Sequence, residues 1–597
     1  MHRLLICNLE KSTIALVSFV LAWVAAQFVG LRFDVDGFLW DAFSVLCAFT
    51  VALITGRSWK ERAVVFSASL ISAIPIFLGF GLVLVTYWAG YALPAHDPIA
   101  VPTLAHVVIE GSLPLEVYPP GTSAHSYPPG QPIIISALAW LSPIDRIFSL
   151  KIMGLLAVAL TPSAWAWLHY RLFPDASVGT TPLLFVAYLV FFGVERTIAF
   201  SIAFAGKNAL LFAIALAPVV AVICVHLSRL RFGWILGSII LFGLVLVHYS
   251  MLHLMAAFLG AYAIIGVGTR RLEPVQVISL GAMGGIAAGL LYLLLHEAFG
   301  DPRAAGFAFK ILPGLYSLVQ TIFSKRSFMV IYMDAHFGVH GFPYRGLSLV
   351  TAGLLSLFVS YLSKRSEVRI ATLVYGLALV LVLLFGFSVI PAGISLDFAR
   401  WIMWPIQAMI LTGGILALFL VPIGRRTLRY LSVGLGIVIL CGAAFLAISD
   451  ARVYRQVNGA HALTRHDFME LMKTFKRDYP DQTCFVIGAG TAHPAILVST
   501  HPNRTLDYLE AATGCRYING SWIDIGPAES RSLIGLPSAS LLRKISRRSI
   551  LYFVGEQKRQ SLYANALTKE GMGVTFELAG EITNIPVWRV TIDSIGN

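Results

Sequence analysis

The sequence predicts a polytopic α-helical membrane protein that ends in a small α/β domain. Of its 597 residues, 57% are hydrophobic and only 13% are charged, whereas a soluble globular domain carries about 25% charged residues. Apolar runs long enough to cross a bilayer recur over most of the chain. The last part of the chain is more polar and carries the short periodic patterns of strands and amphipathic helices.

The apolar runs define a transmembrane domain over residues 1–449. A spanning helix needs about 20 apolar residues, and by this measure the chain contains about 13 transmembrane helices. Their expected positions are residues 13–31, 38–56, 64–92, 149–171, 181–199, 208–228, 232–251, 253–269, 275–297, 346–363, 369–388, 400–421 and 430–449.

The basic loops predict how the chain is oriented. The short basic loops follow the even-numbered spans, and Lys and Arg favour cytoplasmic loops. The N-terminus is therefore expected in the cytoplasm of an inner or plasma membrane protein. Loops 93–148 and 298–345 and the tail 450–597 are expected outside. This topology also accounts for the net charge of +13, so the expected partner is the lipid bilayer and not nucleic acid.

The tail is predicted to be a separate α/β domain of residues 450–597. Its pattern indicates a helix over 464–478 with Thr464 and Asp467 at capping-box spacing, and a second helix over 563–570. Strands are expected at 484–487, 550–554, 574–578 and 587–592. Cys484 and Cys515 form a disulfide if the tail lies in an oxidising compartment.

The most informative stretch is residues 91–132, in the first long external loop. His96 and Asp97 precede Pro98 directly after the third span. Residues 99–110 carry a helical apolar stripe suited to the membrane interface, and Gly111 ends it. Two Tyr-Pro-Pro-Gly segments follow at 118–121 and 127–130, and then a short apolar run at 133–141.

This order of features resembles the first external loop of the GT-C glycosyltransferases. Members with external soluble tails include arabinofuranosyltransferases and aminoarabinose transferases. The resemblance implies a sugar donor carried on polyprenyl phosphate and a glycan, lipid or protein acceptor in the cell envelope. It implies that the first-loop carboxylate, Asp97, is catalytic. The chain departs from the common pattern because two spans precede the span that feeds this loop.

The chemistry of the residues supports the same role for Asp97. Transfer from a lipid phosphate has a good leaving group, so the main requirement is a general base for the acceptor hydroxyl. A carboxylate there also suits a divalent cation that neutralises the phosphate, although the cofactor stays unknown from sequence. His96 is the neighbouring candidate for proton movement. The alternative is that Asp97 only caps the helix that starts at Pro98.

Basic residues near the outer ends of spans are candidates for the donor phosphate. The resemblance assigns phosphate binding to Arg400, whose planar donor fork suits the task. Lys207 and Arg196 are further candidates because charge near the membrane is costly. The alternatives are plain ion pairs, with Asp397 for Arg400 and with Glu195 for the other two.

Four further residues are candidates for substrate binding because aromatic and imidazole groups suit sugars. They are Tyr127, His125, His336 and Tyr344. The spacing of His and Cys residues matches no recognised metal site. Asp34, Asp36 and Asp41 form a rival acidic cluster in a very short external loop, where a solvated turn is the simpler reading.

The sequence thus predicts an enzyme, a membrane glycosyltransferase that acts on the extracytoplasmic face. Two other functions stay open. A transporter or flippase for a lipid-linked saccharide predicts internal repeats and charges at mid-span, whereas the charges here cluster at span ends. A surface-polysaccharide polymerase or ligase would use Arg and His in external loops, such as those of loop 298–345.

Overall fold

The structure is a computed structural model that describes most, but not all, of the chain. At some helix ends it describes the backbone alone. The described residues are 2–35, 37–59, 70–87, 96–111, 116–117, 122–123, 128–194, 208–295, 363, 365–386, 396–420, 464–476, 478–479, 482–487, 509–517, 539–543, 549–582 and 584–593, with isolated positions at 354, 358, 434, 437–438, 441–442, 445 and 448.

The chain forms two compact units. The first comprises Met1–Trp88, Met153–Phe204 and Asn208–Val457, and the second comprises Ala89–Ile152, Ala205–Lys207 and Asn458–Asn597. In chain order, the helices up to the tail are α1 (His2–Arg32), α2 (Phe38–Ser58), α3 (Leu70–Tyr87), α4 (His96–Ile109), α5 (Gly130–Ser136), α6 (Pro143–Leu172), α7 (Thr180–Leu189), α8 (Asn208–Leu227), α9 (Gly233–Val247), α10 (Met251–Gly268), α11 (Pro274–Leu295), α12 (Ser366–Gly386) and α13 (Leu396–Leu420).

The long apolar helices confirm a multi-pass membrane protein. Within the described residues, 8 helices are long and apolar enough to cross a bilayer, and Ile71–Thr86, Thr180–Phe192 and Gly233–Val247 are shorter apolar helices. Together they match all the predicted spans except those near 346–363 and 430–449, which lie outside the described residues apart from isolated positions. The figure of about 13 spans stays a prediction.

The surface of the first unit explains why it needs lipid. Large apolar side chains such as Leu39, Phe77 and Ile278 are exposed, with Leu39 reaching 84%. Such a surface is unfavourable in water and favourable against acyl chains. Inside the unit, two helices pack closely where one of them has a glycine, which carries no side chain. A Cβ on Gly243 of α9 would lie 2.1 Å from the carbonyl oxygen of Leu21 on α1.

Polar contacts gather the predicted basic loops at one end of the first unit. Arg171, at the end of α6, pairs with Glu10 of α1 (Nε to Oε1, 2.7 Å), and its guanidinium lies over the Trp59 ring. Arg271, which follows α10, pairs with Glu367 at the start of α12. These loops follow the second, fourth, eighth and tenth predicted spans, so they share one end as the charge pattern indicates. The assignment of that end to the cytoplasm stays a prediction.

The second unit contains a five-stranded sheet built from the tail. Its strands are β3 (Cys484–Ile487), β4 (Arg516–Tyr517), β5 (Ile550–Val554), β6 (Gly573–Ile582) and β7 (Ile585–Asp593) in the order β4-β3-β5-β7-β6. Strands β4, β3 and β5 run parallel, and β7 is antiparallel to both β5 and β6. The tail helices are α14 (Arg465–Thr474), α15 (Leu509–Thr513), α16 (Ala539–Arg543) and α17 (Gln557–Lys569).

The local signals of the tail are confirmed. Helix α14 begins with the expected capping box, in which the Thr464 side chain accepts from the Asp467 backbone and the Asp467 side chain accepts from the Thr464 backbone. The four predicted strands are β3, β5, β6 and β7, and the second predicted helix, 563–570, coincides with the second half of α17 and its C-cap residue Glu570. Cys484 and Cys515 form a disulfide.

The sheet has a hydrophobic core on each face. Alternate residues of β5 point to opposite faces, as the twofold period of a strand requires. Ile550, Tyr552 and Val554 belong to one core with α14 and α15. Leu551 and Phe553 belong to the other, with α16 and α17. The first core also includes Ile144 and Ile147 of α6, which come from a part of the sequence far from the tail.

Candidate functional site

Helix α4 is the element that carries Asp97. It spans His96–Ile109, so His96 and Asp97 occupy its first turn. Pro98 is tolerated there because the amide groups of the first turn have no partner within the helix. The helix ends where the Gly111 amide donates to the Val108 carbonyl (3.0 Å). Gly111 adopts φ 79°, a left-handed conformation that glycine adopts without strain.

The apolar stripe of α4 is buried in protein. Val101, Leu104, Ala105 and Val107 are between 0% and 3% exposed, and the helix packs against α5 and α15. The sequence interpretation assigned this stripe to the membrane interface. It was wrong because the helix period shows that one face is apolar but not what covers that face.

The remainder of the loop follows the predicted order. Strands β1 (Glu116–Val117) and β2 (Thr122–Ser123) pair antiparallel. Helix α5 then begins at Gly130, directly after the second Tyr-Pro-Pro segment, and buries Ile133 and Ile135. The predicted short helix is present, but it spans residues 130–136 and not 133–141, because residues 137–140 form a turn.

The start of α6 is fixed by a local cap and by the tail. The Asp145 amide donates to Ser142 Oγ (3.2 Å), and the Ser142 hydroxyl donates to Asp145 Oδ2 (2.6 Å). Pro143 at the first helical position suits this start because its missing N–H leaves nothing unsatisfied. Asp145 also lies 3.5 Å from the Arg465 guanidinium of α14. The last residues of loop 93–148 are thus attached to the tail by an ion pair and by Ile144 and Ile147.

Two buried polar side chains near the loop were missed from sequence. Gln131 on α5 is 0% exposed, and neither of its amide atoms has a hydrogen-bond partner among the described residues. Arg146 on α6 is 5% exposed, and its Nη1 atom likewise lacks one. Buried polar groups without partners are uncommon and suggest a ligand or water. No local sequence pattern marks them, because their burial depends on distant segments.

The sequence-predicted site residues differ in how far the structure describes them. Arg400 lies near the start of α13 (Leu396–Leu420), with its backbone described. The same holds for His96 and Asp97 in α4. These placements leave their roles as predictions. The other candidates lie outside the described residues, namely Lys207, Arg196, Glu195, Tyr127, His125, His336 and Tyr344.

The rival acidic cluster is described in part. Asp41 on α2 accepts a hydrogen bond from the Gln27 side chain of α1 (3.0 Å). Asp34 adopts φ 54° in the turn after α1, a conformation that Asp tolerates better than most residues. Asp36 lies outside the described residues. Asp34 therefore lies in the turn between the two helices, and Asp41 joins α2 to α1.

No metal-binding cluster is present among the residues that the structure describes. In that part of the chain, no three His, Cys, Asp or Glu side chains are grouped so that they could hold an ion. His96 and Asp97 have only their backbone described, and His125 and His336 lie beyond it.

The fold is similar to that of two solved structures. The crystal structure of ArnT from Cupriavidus metallidurans bound to undecaprenyl phosphate has a TM-score of 0.48 and 11% identity, covering 88% of this chain and 98% of that chain. The apo structure of ArnT from the same organism has a TM-score of 0.45 and 11% identity, covering 87% and 97%.

No family model matches the chain, and no curated protein matches it.

Proposed function

We propose that this chain is a membrane glycosyltransferase of the GT-C type. It moves a sugar from a polyprenyl-phosphate donor to a glycan, lipid or protein acceptor on the extracytoplasmic face, with Asp97 as general base. The observation that carries the proposal is the position of Asp97 in the first turn of α4, which follows the membrane helix α3 along the chain. The first loop then continues through Gly111, the Tyr-Pro-Pro segments and α5.

In the proposed step one proton moves to Asp97, and the anomeric carbon exchanges its bond to the phosphate oxygen for a bond to the acceptor oxygen. The acceptor hydroxyl oxygen attacks the anomeric carbon of the donor sugar while the Asp97 carboxylate takes the hydroxyl proton. The bond from that carbon to the phosphate oxygen breaks, and its electron pair leaves with the polyprenyl phosphate. The loss of Asp97 as base is expected to cost about 10²–10⁴-fold in turnover.

Placement in the first turn of a helix suits a general base. The free amide groups of that turn stabilise a carboxylate and limit its motion. The buried stripe of α4 fixes the helix against α5 and α15, and a general base must be held within hydrogen-bond reach of its proton. Capping and catalysis by Asp97 are therefore compatible.

The donor phosphate is assigned to Arg400, with Lys207 and Arg196 as additional basic groups. Arg400 lies in the first turns of α13, three residues after Asp397. A guanidinium donates two parallel hydrogen bonds to phosphate oxygens. His96 assists proton movement, and Tyr127, His125, His336 and Tyr344 contact the sugars in this proposal. The transmembrane domain has about 13 spans, with the N-terminus cytoplasmic and the tail outside.

The test compares purified wild-type protein with the Asp97→Asn and Asp41→Asn variants. Each receives a panel of polyprenyl-phosphate sugars and an envelope glycan extract, and the release of free polyprenyl phosphate is measured. We expect turnover by the wild type and by Asp41→Asn, and its loss in Asp97→Asn. Thermal melts check that all three are folded.

Turnover retained by Asp97→Asn would exclude Asp97 as the base. Loss in Asp41→Asn alone would move the site to the loop between α1 and α2. A wild type that carries a labelled lipid-linked sugar across vesicle membranes but releases no lipid phosphate would indicate the transporter function instead.

A further inference from the structure

The tail domain shares its core with two residues at the end of the first external loop, 93–148. Ile144 and Ile147 of α6 are each 1% exposed, and they belong to the same core as Phe468 and Leu471 of α14. Burial of an Ile side chain contributes substantially to the stability of its core. The sheet of the tail thus has one face that is completed by residues located more than three hundred positions earlier in the chain.

Helix α15 links this core to the helix that carries Asp97. Leu509 and Ala512 of α15 are 0% exposed within the core. The same helix packs against α4, whose stripe is buried. One short helix therefore packs against α4 and also belongs to the core of the sheet, so movement of α15 displaces a support of α4.

A disulfide fixes α15 to the sheet. Cys515 lies two residues after the end of α15 and is bonded to Cys484, the first residue of β3. Strand β4, which comes next, is paired with β3 at two positions, Phe485 with Arg516 and Val486 with Tyr517. Such a short helix and strand are weak elements by themselves. The disulfide is the covalent part of their attachment.

The disulfide is also protected from solvent. Cys484 is 1% exposed and Cys515 is 0% exposed, and buried disulfides resist exchange with thiols because a thiolate must reach a sulfur atom. Cys47, Cys224 and Cys441, whose side chains are described, are free and take no part in it. The burial of both sulfur atoms is typical of a structural disulfide.

We propose that α15, locked to β3 by the Cys484–Cys515 disulfide, is a brace that positions α4 and hence Asp97. The inference rests on the proposed function, because it names how the tail acts on that site. The two thiols are oxidised by exchange with a protein disulfide in an oxidising compartment. The two cysteines lose two protons and two electrons, and the donor disulfide becomes a dithiol. Without that step α4 is less well held and catalysis is slower.

The test uses the full-length protein and the double variant Cys484→Ala/Cys515→Ala. The matched control is Cys47→Ala/Cys441→Ala, which removes two cysteines that carry no disulfide. Hydrogen–deuterium exchange is followed at residues 96–109 and at β5, β6 and β7. Only the first double variant is expected to exchange faster in 96–109, by about tenfold, while the three strands keep their protection.

Activity gives the second readout. We expect the turnover number of Cys484→Ala/Cys515→Ala to fall by about tenfold or more, because small displacements of a reacting group are costly. The donor KM is expected to stay within twofold of the wild type, since the variant leaves Arg400 untouched. Faster exchange at 96–109 in Cys484→Ala/Cys515→Ala, together with no activity in the wild type, would support the brace and contradict the proposed function.

Unchanged exchange at 96–109 in a variant whose strands stay protected would overturn the brace. If the double variant loses protection in the strands as well, Leu509→Ala decides the matter, because it weakens the packing of α15 and keeps the disulfide. Faster exchange at 96–109 in Leu509→Ala with protected strands supports the brace, and unchanged exchange there overturns it.

Discussion

Glu10 and Arg171 form an ion pair between the first and sixth helices, with 2.7 Å between Oε1 and Nε. Both side chains are mostly buried, at 21% and 8% exposure. Glu10 also accepts a hydrogen bond from Trp167 (3.0 Å). The pair therefore joins α1 to α6 at the end of the first unit where the basic loops gather.

We expect Arg171→Met to destabilise the protein by about 3 kcal/mol, because it leaves a buried carboxylate without its cation. Glu10→Gln/Arg171→Met should be less destabilised than the sum of the two single variants, since the uncompensated charge is gone. Thermal melts in detergent measure all of them. Strictly additive effects would show that the pair contributes nothing to the stability of the membrane unit.

The close approach of α9 to α1 gives a prediction about Gly243. A Cβ at this position would lie 2.1 Å from the Leu21 carbonyl oxygen, which is backbone and cannot rotate away. Gly243→Ala is expected to destabilise the protein by about 1–3 kcal/mol. Gly260→Ala on α10 is the control, because no atom lies within 4 Å of its Cβ.

Gly260→Ala should be neutral or stabilising by up to about 1 kcal/mol, since alanine favours the helix. The two variants have the same chemistry and differ only in what surrounds them. A melting temperature lowered equally in both would contradict the contact between α1 and α9.

The sequence predicted those parts of the fold that local signals specify. Thr464 and Asp467 form the expected capping box, and the continuous apolar run at 550–554 indicates a buried strand that β5 confirms. The apolar runs predict most membrane helices because lipid requires about 20 apolar residues in each span. Such features need no knowledge of distant partners.

The parts that were missed depend on contacts between distant segments. Ile144 and Ile147 look like ordinary apolar positions just before the predicted span 149–171, and nothing nearby shows that they share a core with Phe468. The stripe of α4 fits a membrane surface as well as a protein core, since both are apolar. For the candidate site, the sequence supplied Asp97 through a resemblance and a helix start, whereas the burial of Gln131 and Arg146 follows from tertiary packing.

The assignment of the donor phosphate to Arg400 predicts a specific kinetic change. Arg400→Gln removes a charged donor of hydrogen bonds and is expected to raise the donor KM by about tenfold or more. Arg400→Lys should recover part of this loss, because it keeps the charge but not the planar fork. Lipid phosphate release at varied donor concentration measures both.

Arg369→Gln is the matched control for Arg400. Arg369 Nε donates to the Ser363 carbonyl (2.9 Å), and it lies in the first turn of α12, at the predicted cytoplasmic end. Its replacement should leave the donor KM unchanged. An unaltered KM in Arg400→Gln would reject Arg400 as a phosphate ligand and direct attention to Lys207 and Arg196.

The tail domain is expected to lose stability in alkaline solution through Tyr563. This side chain is 2% exposed and stacks on Phe553 with 5.9 Å between ring centroids. Burial, together with the nearby Glu570 carboxylate, raises the pKa of Tyr563 well above its usual value. Burial is also the main cause of a raised pKa at Tyr552.

A raised pKa sets the sign of the effect. Below about pH 10 the phenol is neutral in both the folded and the unfolded chain, so its contribution is fully present. Above that pH the unfolded chain releases the proton while the folded chain retains it, and the free energy of unfolding falls. The limiting slope is about 1.4 kcal/mol per pH unit for each such group.

Calorimetric melts of the full-length protein at pH 8 and pH 10.5 should therefore show a smaller loss of stability for Tyr563→Phe than for the wild type. Tyr479→Phe is the control, because this side chain is 68% exposed; its loss of stability between the two pH values should equal that of the wild type. Equal losses of stability in all three proteins would show that the Tyr563 phenol ionises as easily in the folded tail as in the unfolded chain.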